Sequence, residues 1–185
     1  MSKVLVVGGG ASGMMAAIFA ARNGQKVQII EKNEKLGKKL FITGKGRCNI
    51  TNAADVEDLF AAVVGNPKFL YSGFYSFSNM QVIDFFEELG VRTKIERGDR
   101  VFPVSDHSSD VISALERELR RLGVKISLHT AVDRVIYKEE PSEYFFVQGS
   151  ASTVTRSLWQ REGFLTRLQD LRGTGIVLPR KRDTK

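Results

Sequence analysis

The sequence predicts an α/β domain built on a parallel sheet. Three observations carry that expectation. Two short aliphatic runs, KVLVV at residues 3–7 and KVQII at 26–30, have the length and composition of buried strands. A stretch of small and apolar residues lies between them, long enough for a helix that returns the chain to the same end of the sheet. A glycine-rich turn, GGGASG at residues 8–13, joins the first strand to that helix. Apolar residues make up 42% of the 185, enough for a packed core.

The elements follow in order. The first helix is expected over residues 12–23, with Gly24 as its C-terminal stop. Residues 26–30 form the second strand, closed by Glu31. Residues 32–54 are rich in Lys, Gly and Asn and read as loop. A short helix is expected at 55–64. A stronger one spans 78–89, where Ser78 can cap the start and Gly90 ends the run. Residues 91–95 alternate like a strand. Residues 108–122 form an amphipathic helix with Val111, Leu115, Leu119 and Leu122 on one face, stopped by Gly123. Strands are expected at 124–128, 132–137 and 144–147. Beyond about residue 149 neither period persists, and the chain reads as a basic tail.

Composition narrows the function. No apolar stretch reaches the length of a membrane-crossing helix, so no membrane partner is expected. The N-terminal MSKVLVVGGG lacks a signal-peptide layout, and the single cysteine, Cys48, excludes an internal disulfide framework. A cytoplasmic location fits both. The net charge of +7 invites a nucleic-acid reading, but residues 151–185 hold eight Lys/Arg against three Asp/Glu. The first 150 residues are therefore nearly balanced, and no nucleic-acid partner is expected. His107 and His129 have no metal-ligand spacing, and no metal is expected.

The turn carries the chemistry. Gly8-x-Gly10-x-x-Gly13 follows a strand and opens a helix, and the next strand ends in an acid 18 residues after Gly13. Gly8 permits the tight turn, Gly10 lets a pyrophosphate approach the backbone, and Gly13 lets helix and strand pack closely. The backbone N–H groups of Ala11, Ser12 and Gly13 at the helix start suit phosphate. Glu31 can accept hydrogen bonds from ribose hydroxyls, and its charge disfavours a 2′-phosphate. The expected ligand is an adenine dinucleotide such as FAD or NAD, on a Rossmann-like domain.

Residues 31–52 read EKNEKLGKKLFITGKGRCNITN. This stretch resembles the bacterial FAD-dependent oxidoreductases known as the HI0933-like flavoproteins, whose pattern is a basic turn followed by GxGRCNxTN. The turn here is Gly37-Lys38-Lys39, with lysine where arginine is common. The stretch RVFPVSD at 100–106 and the helix after it continue the resemblance, as does Thr130-Ala131-Val132, where the family's valine supplies a backbone contact to adenine. The similarity runs from residue 1 to about 148. It implies an FAD-binding domain over 1–149, with FAD as cofactor and NAD(P)H as an electron donor. Lys32, Lys39, Arg47, Cys48, Asn49, Thr51 and Val132 then join the glycine turn as cofactor-binding residues. On their own chemistry, Arg47, Asn49 and Thr51 are donors suited to phosphates or a flavin edge. Cys48 has no CxxC partner and is expected to pack rather than react. Phe74, Tyr75 and Phe77 are expected to serve the core. No catalytic residue and no particular substrate is assigned; members are associated with aminoacetone oxidation and bile-acid reduction.

Past its adenine-binding strands the family continues with DKVILATGG-x-SYPxTGSTGDGY, which this chain lacks. The genetic code nevertheless permits SDKVIVATGGLSYPTTGSTGDGY when the third base of each codon from Thr153 onward is joined to the first two of the next. Trp159 into Gln160 forces an alanine codon with no choice. Residues 150–185 are therefore expected to be an out-of-frame or disordered tail after a one-base slip near residue 149. The fold would then be truncated, and the chain as written would bind FAD poorly and turn over nothing. Two other readings stand beside this one: a non-catalytic dinucleotide-binding module, and an interaction protein that uses the basic tail.

Overall fold

The computed structural model describes residues 3–132 and, beyond them, four strands at 134–138, 143–148, 153–158 and 176–177. In chain order the strands are β1 (Lys3–Val7), β2 (Lys26–Ile30), β3 (Thr51–Asn52), β4 (Thr93–Glu96), β5 (Arg100–Pro103), β6 (Lys125–Ser127), β7 (Arg134–Lys138), β8 (Glu143–Gln148), β9 (Thr153–Leu158) and β10 (Ile176–Val177). The helices are α1 (Ala11–Arg22), α2 (Lys38–Ile42), α3 (Val56–Ala61), α4 (Tyr71–Ser76), α5 (Asn79–Glu88) and α6 (Ser108–Arg121), with 3-10 turns at Thr43–Gly46 and Pro67–Leu70. The chain divides into two compact units, one of residues 1–38 and 116–185, the other of residues 39–115.

The first unit holds the parallel sheet. Its strand order is β10-β1-β2-β6, with β1, β2 and β6 parallel and β10 antiparallel to β1. Lys3 pairs with Lys26 and Val7 with Ile30, so the two aliphatic runs align along their full length. Val6 and Ile29 are fully buried, as continuous apolar strands of a covered parallel sheet should be. Helix α1 packs on β1 and β2 through Met14, Ala17 and Ile18. It ends at Asn23, and Gly24 takes φ +77°, the left-handed stop expected of it. Glu118 on α6 is buried and accepts from Arg22 of α1 at 2.9 Å and from Arg121 at 2.6 Å. These two guanidinium groups hold its carboxyl down at about 2, Arg121 having the larger effect. A separate antiparallel sheet, β7-β8-β9, completes this unit.

The second unit is built on the antiparallel sheet β3-β5-β4. Val101, Phe102 and Pro103 of β5 are buried, and α5 lies against β3 and β4 with Ile83, Phe85 and Phe86 buried. Helix α5 begins with a reciprocal cap: Ser78 Oγ accepts from Gln81 N, and Gln81 Oε1 accepts from Ser78 N at 2.8 Å. Buried Asn79 donates to Asn52 O and Ala54 O, both at 2.8 Å, which fastens the helix start beside β3.

The structure differs from the sequence reading in four places. Residues 32–54 are not all loop, since they contain α2, a 3-10 turn and β3. Helix α4 appears in YSGFYS, where Gly73 and the aromatic residues argue weakly for helix. Strand β5 is only four residues long and ends in Pro103, so it shows little alternation. Strands β9 and β10 lie within the segment read as tail. The rest of that segment, and with it the frame question, lies outside the described residues. Among the described residues no helix is long and apolar enough to cross a membrane, and no group of three or more His, Cys, Asp or Glu gathers as metal ligands do.

Candidate dinucleotide-binding site

The glycine turn closes on backbone contacts. Gly8 takes φ +100° and its N–H donates to Ile30 O at 2.7 Å, which ties the end of β1 to the end of β2. A Cβ at Gly13 would meet Gly8 O at 1.9 Å, a distance that excludes any side chain there. At Gly10 a Cβ would find nothing within 4 Å. That position is therefore not needed for internal packing, and it stands at the start of α1. Gly10 is the N-cap of α1 and no side chain caps the helix. Ala11 and Ser12 are exposed, and the first turn holds no acid. An uncapped helix start beside open space, free of negative charge, fits a pyrophosphate.

Glu31 is buried and already engaged. One carboxylate oxygen accepts from Gly9 N at 2.6 Å, while the other accepts from Asn33 N at 2.8 Å and from the Asn33 side chain. Gly9 O in turn accepts from Gly37 N at 2.8 Å. Gly9 and Asn33 thus belong to the site, although the G-x-G-x-x-G spacing passes over both. The run of three glycines was the available signal for Gly9, and proximity to the strand-end acid was the signal for Asn33. Thr130 N donates to Glu31 O at 2.9 Å, and Val132 packs against the Leu5 and Ile30 core, so the T-x-V segment runs beside the acid. Lys32 is exposed next to Glu31.

The other predicted residues lie in the second unit. Lys39 is exposed on α2. Loop 44–48 has an unusual backbone: Gly44, Lys45, Gly46 and Cys48 all have positive φ, at +61°, +57°, +86° and +61°. Arg47 holds it. Its guanidinium donates to Asp106 through Nε at 2.9 Å and through Nη2, to Glu96 through both Nη groups, and lies 4.3 Å from the Phe102 ring centre. Lys94 donates to Asp106 at 2.7 Å and lies 3.3 Å from Glu96. Two cations and two carboxylates form a closed, neutral set. Hydrogen bonds donated to Glu96 first and Asp106 second raise the Arg47 guanidinium. Asp106 is lowered by hydrogen bonds from Lys94 and then Arg47, and Glu96 chiefly by Arg47. Arg47 is thus committed to the loop's own scaffold. Glu96, Asp106 and Lys94 were missed by sequence reasoning because 49 and 59 residues separate Arg47 from its two acids.

The Asn49 carboxamide nitrogen donates to Thr51 O at 2.9 Å and Val101 O at 3.2 Å, fastening the loop to β3 and β5. Thr51 pairs with Val101. Cys48 is buried and burial raises its thiol, which keeps it protonated and unreactive at neutral pH. Of the aromatic residues, Phe77 stacks edge-on against Phe85 with centroids 6.4 Å apart. Phe74 is half-buried against Phe60 at 5.4 Å, Phe77 is likewise half-buried, and Tyr75 stays 70% exposed against Phe60 and Tyr71, so none of the three is fully buried and the core expectation fails for Tyr75.

A parallel sheet, a closed glycine turn, an open helix start and a strand-end acid define a Rossmann-like domain. Residues 2–158 match the HI0933-like protein Rossmann domain, and the chain belongs to that family. It is 41% identical over 128 residues to a 3-dehydro-bile acid delta(4,6)-reductase of Clostridium scindens, covering 68% of this chain and 31% of that protein. A ribosomal RNA dihydrouridine synthase of Haemophilus influenzae is 26% identical over 152 residues, covering 82% of this chain and 37% of that protein. The chain thus spans about a third of the length of the curated relatives it matches. Its fold is shared with a 3-ketosteroid-delta4-(5alpha)-dehydrogenase of Rhodococcus jostii, at a TM-score of 0.62 and 14% identity, over 84% of this chain and 44% of that one.

Proposed function

We propose that residues 1–149 are the FAD-binding part of a flavoprotein oxidoreductase. The observation that carries this reading is the contrast between two glycines: a side chain at Gly13 is blocked by backbone, while Gly10 borders space that the protein leaves open. In this reading the N–H groups of Ala11, Ser12 and Gly13 hold the pyrophosphate. Glu31 takes the adenosine ribose, and the backbone of Val132 contacts adenine. Lys32 and Lys39 add positive charge, while Arg47, Cys48, Asn49 and Thr51 fix the loop shape. FAD, when bound, supplies the hydride chemistry. The protein's residues bind, orient and shield it.

The activity of the whole enzyme is the further part of the proposal. One relative is named for reducing a bile acid at delta(4,6) and another for making dihydrouridine, which is uridine with its ring double bond reduced. Both names describe reduction of a carbon–carbon double bond near a carbonyl. They support a reductase of activated alkenes; the reading adds NAD(P)H as electron source and, on the bile-acid name alone, a small-molecule substrate, since the second name specifies ribosomal RNA. Codon compatibility supports an out-of-frame segment after about residue 149, and with it weak FAD binding and no turnover by this chain. Two measurements test these readings. The first is titration of the protein into FAD, followed by flavin fluorescence: weak but saturable quenching that ADP reverses is expected, and its absence in a chain carried on through the ATGG frame as well refutes the cofactor assignment. The second is resequencing of the gene from the codon of Pro141 past that of Lys185. A gained or lost base that opens the ATGG motif is expected, and confirmation of the present frame refutes the slip.

A further inference from the structure

We infer that Asn33 shares the reading of the adenosine ribose with Glu31, one hydroxyl going to each; the inference rests on the FAD reading above. All the groups involved belong to the first unit. An ionised carboxylate offers about four acceptor positions. On Glu31, Oε1 accepts from Asn33 N and from Asn33 Nδ2, and Oε2 accepts from Gly9 N. A single position is left, on Oε2. The 2′- and 3′-hydroxyls of a ribose are two donors on adjacent carbons. Glu31 alone cannot take both while it braces the glycine turn.

Asn33 supplies the missing acceptor. Its amide orientation is set by its neighbour. Turned over, it would press Oδ1 against the carboxylate, so Nδ2 faces Glu31 and Oδ1 faces away. Among the described residues nothing donates to Oδ1. The side chain is only half-buried, which leaves part of it open to a ligand. The main chain holds it in place. Asn33 O accepts from His129 N at 3.1 Å, Glu31 O accepts from Thr130 N at 2.9 Å, and Glu31 N donates to Ser127 O at 2.8 Å. Residues 31–33 and 127–130 are thus fastened to each other along the end of the sheet. Oδ1 shares a carbon with Nδ2, so the free acceptor of Asn33 sits beside the carboxylate, as a pair of neighbouring hydroxyls requires. A 2′-phosphate removes one of the two donors, so the pair selects an unmodified ribose.

The test compares ADP, 2′-deoxy-ADP and 3′-deoxy-ADP, with affinities read by ligand-observed NMR, which follows weak binding. It is made on this chain and on one carried on through the ATGG frame. In the unaltered protein, removal of either hydroxyl should weaken binding about five- to tenfold. Asn33→Leu fills the place of the carboxamide without an acceptor, and ADP should weaken by the same factor. One deoxy nucleotide should then bind as well as ADP does, while the other is still discriminated. Asn33→Val makes the same comparison if the leucine variant does not fold. An unaltered protein that discriminates one deoxy nucleotide or neither would overturn the inference, since Asn33 then reads nothing. So would a variant that keeps both discriminations. Loss of both together would also overturn it, because Asn33 would then act only by orienting Glu31. If neither length of chain binds ADP, the cofactor reading itself fails, and this inference with it.

Discussion

Gly10→Ala and Gly13→Ala separate ligand space from packing space within one turn. At Gly13 the added methyl would lie 1.9 Å from Gly8 O. Ordinary contact requires a retreat of about 1.5 Å or more. Gly8 cannot yield easily, because its N–H is bound to Ile30 O at 2.7 Å. Forcing an atom against fixed backbone places the cost near the top of the overpacking range, about 3 kcal/mol. Alanine's better helix propensity returns about 1 kcal/mol. The net loss is about 2 kcal/mol, or a fall in Tm of roughly 4–8 °C for a chain of this size. At Gly10 the backbone is φ −77°, ψ −175°, which alanine adopts without strain, and its methyl meets nothing. Only the weaker N-cap preference of alanine counts against it, at well under 1 kcal/mol beside glycine. The methyl would, however, occupy the pyrophosphate approach, and FAD affinity should drop at least ~10-fold. Thermal unfolding of the FAD-free proteins by circular dichroism, paired with FAD titration, reads both effects. A Gly13→Ala protein with wild-type Tm would refute the packing argument. A Gly10→Ala protein with wild-type affinity would refute the placement of the pyrophosphate.

Three other outcomes follow from the same structure. Glu118→Gln should lower stability by about 1–2 kcal/mol at pH 7. The wild-type carboxyl titrates at about 2 instead of 4.5, so the unfolded chain binds more protons between those values. Stability from this group is therefore present above about pH 4.5, fades as pH falls toward 2, and the two proteins should converge there in urea melts. Ser78→Ala removes one half of the α5 cap and should cost about 1 kcal/mol, read from a urea midpoint shift at unchanged m-value. Arg47→Lys should fail to restore the urea midpoint lost in Arg47→Ala, because a single ammonium cannot replace a planar fork shared by Glu96 and Asp106. A midpoint equal to wild type in the lysine variant would refute the fork.

Much of the parallel-sheet unit was readable from sequence because its signals are local. The aliphatic runs at β1 and β2, the glycines between them and Gly24 each act over a few residues. The same holds for α5, whose Ser78 cap and Gly90 stop bracket the helix. The second unit was less legible for the opposite reason. Strand β5 gains its place by pairing with β4 and β3, and only the short buried run Val101, Phe102 and Pro103 reveals it. Helix α2 is one short turn in a lysine- and glycine-rich stretch, held by tertiary contacts such as Ser108 Oγ donating to Phe41 O at 2.8 Å. In the candidate site, the positions of Gly8, Gly10, Gly13 and Glu31 followed from spacing. The partners of Arg47 did not, because no periodic pattern links residues 47, 96 and 106 before the chain folds.

The engaged state of Glu31 bears on redesign of cofactor preference. An exposed acid could rotate away from an incoming 2′-phosphate, or be exchanged for arginine at no structural cost. Glu31 can do neither, because it is buried and fastened to Gly9 N and Asn33. Its exchange would strand the Gly9 amide and remove the brace of the glycine turn itself. A switch toward 2′-phosphorylated nucleotides therefore needs a second change, one that gives Gly9 N a new acceptor, before the substitution at 31 can show its effect.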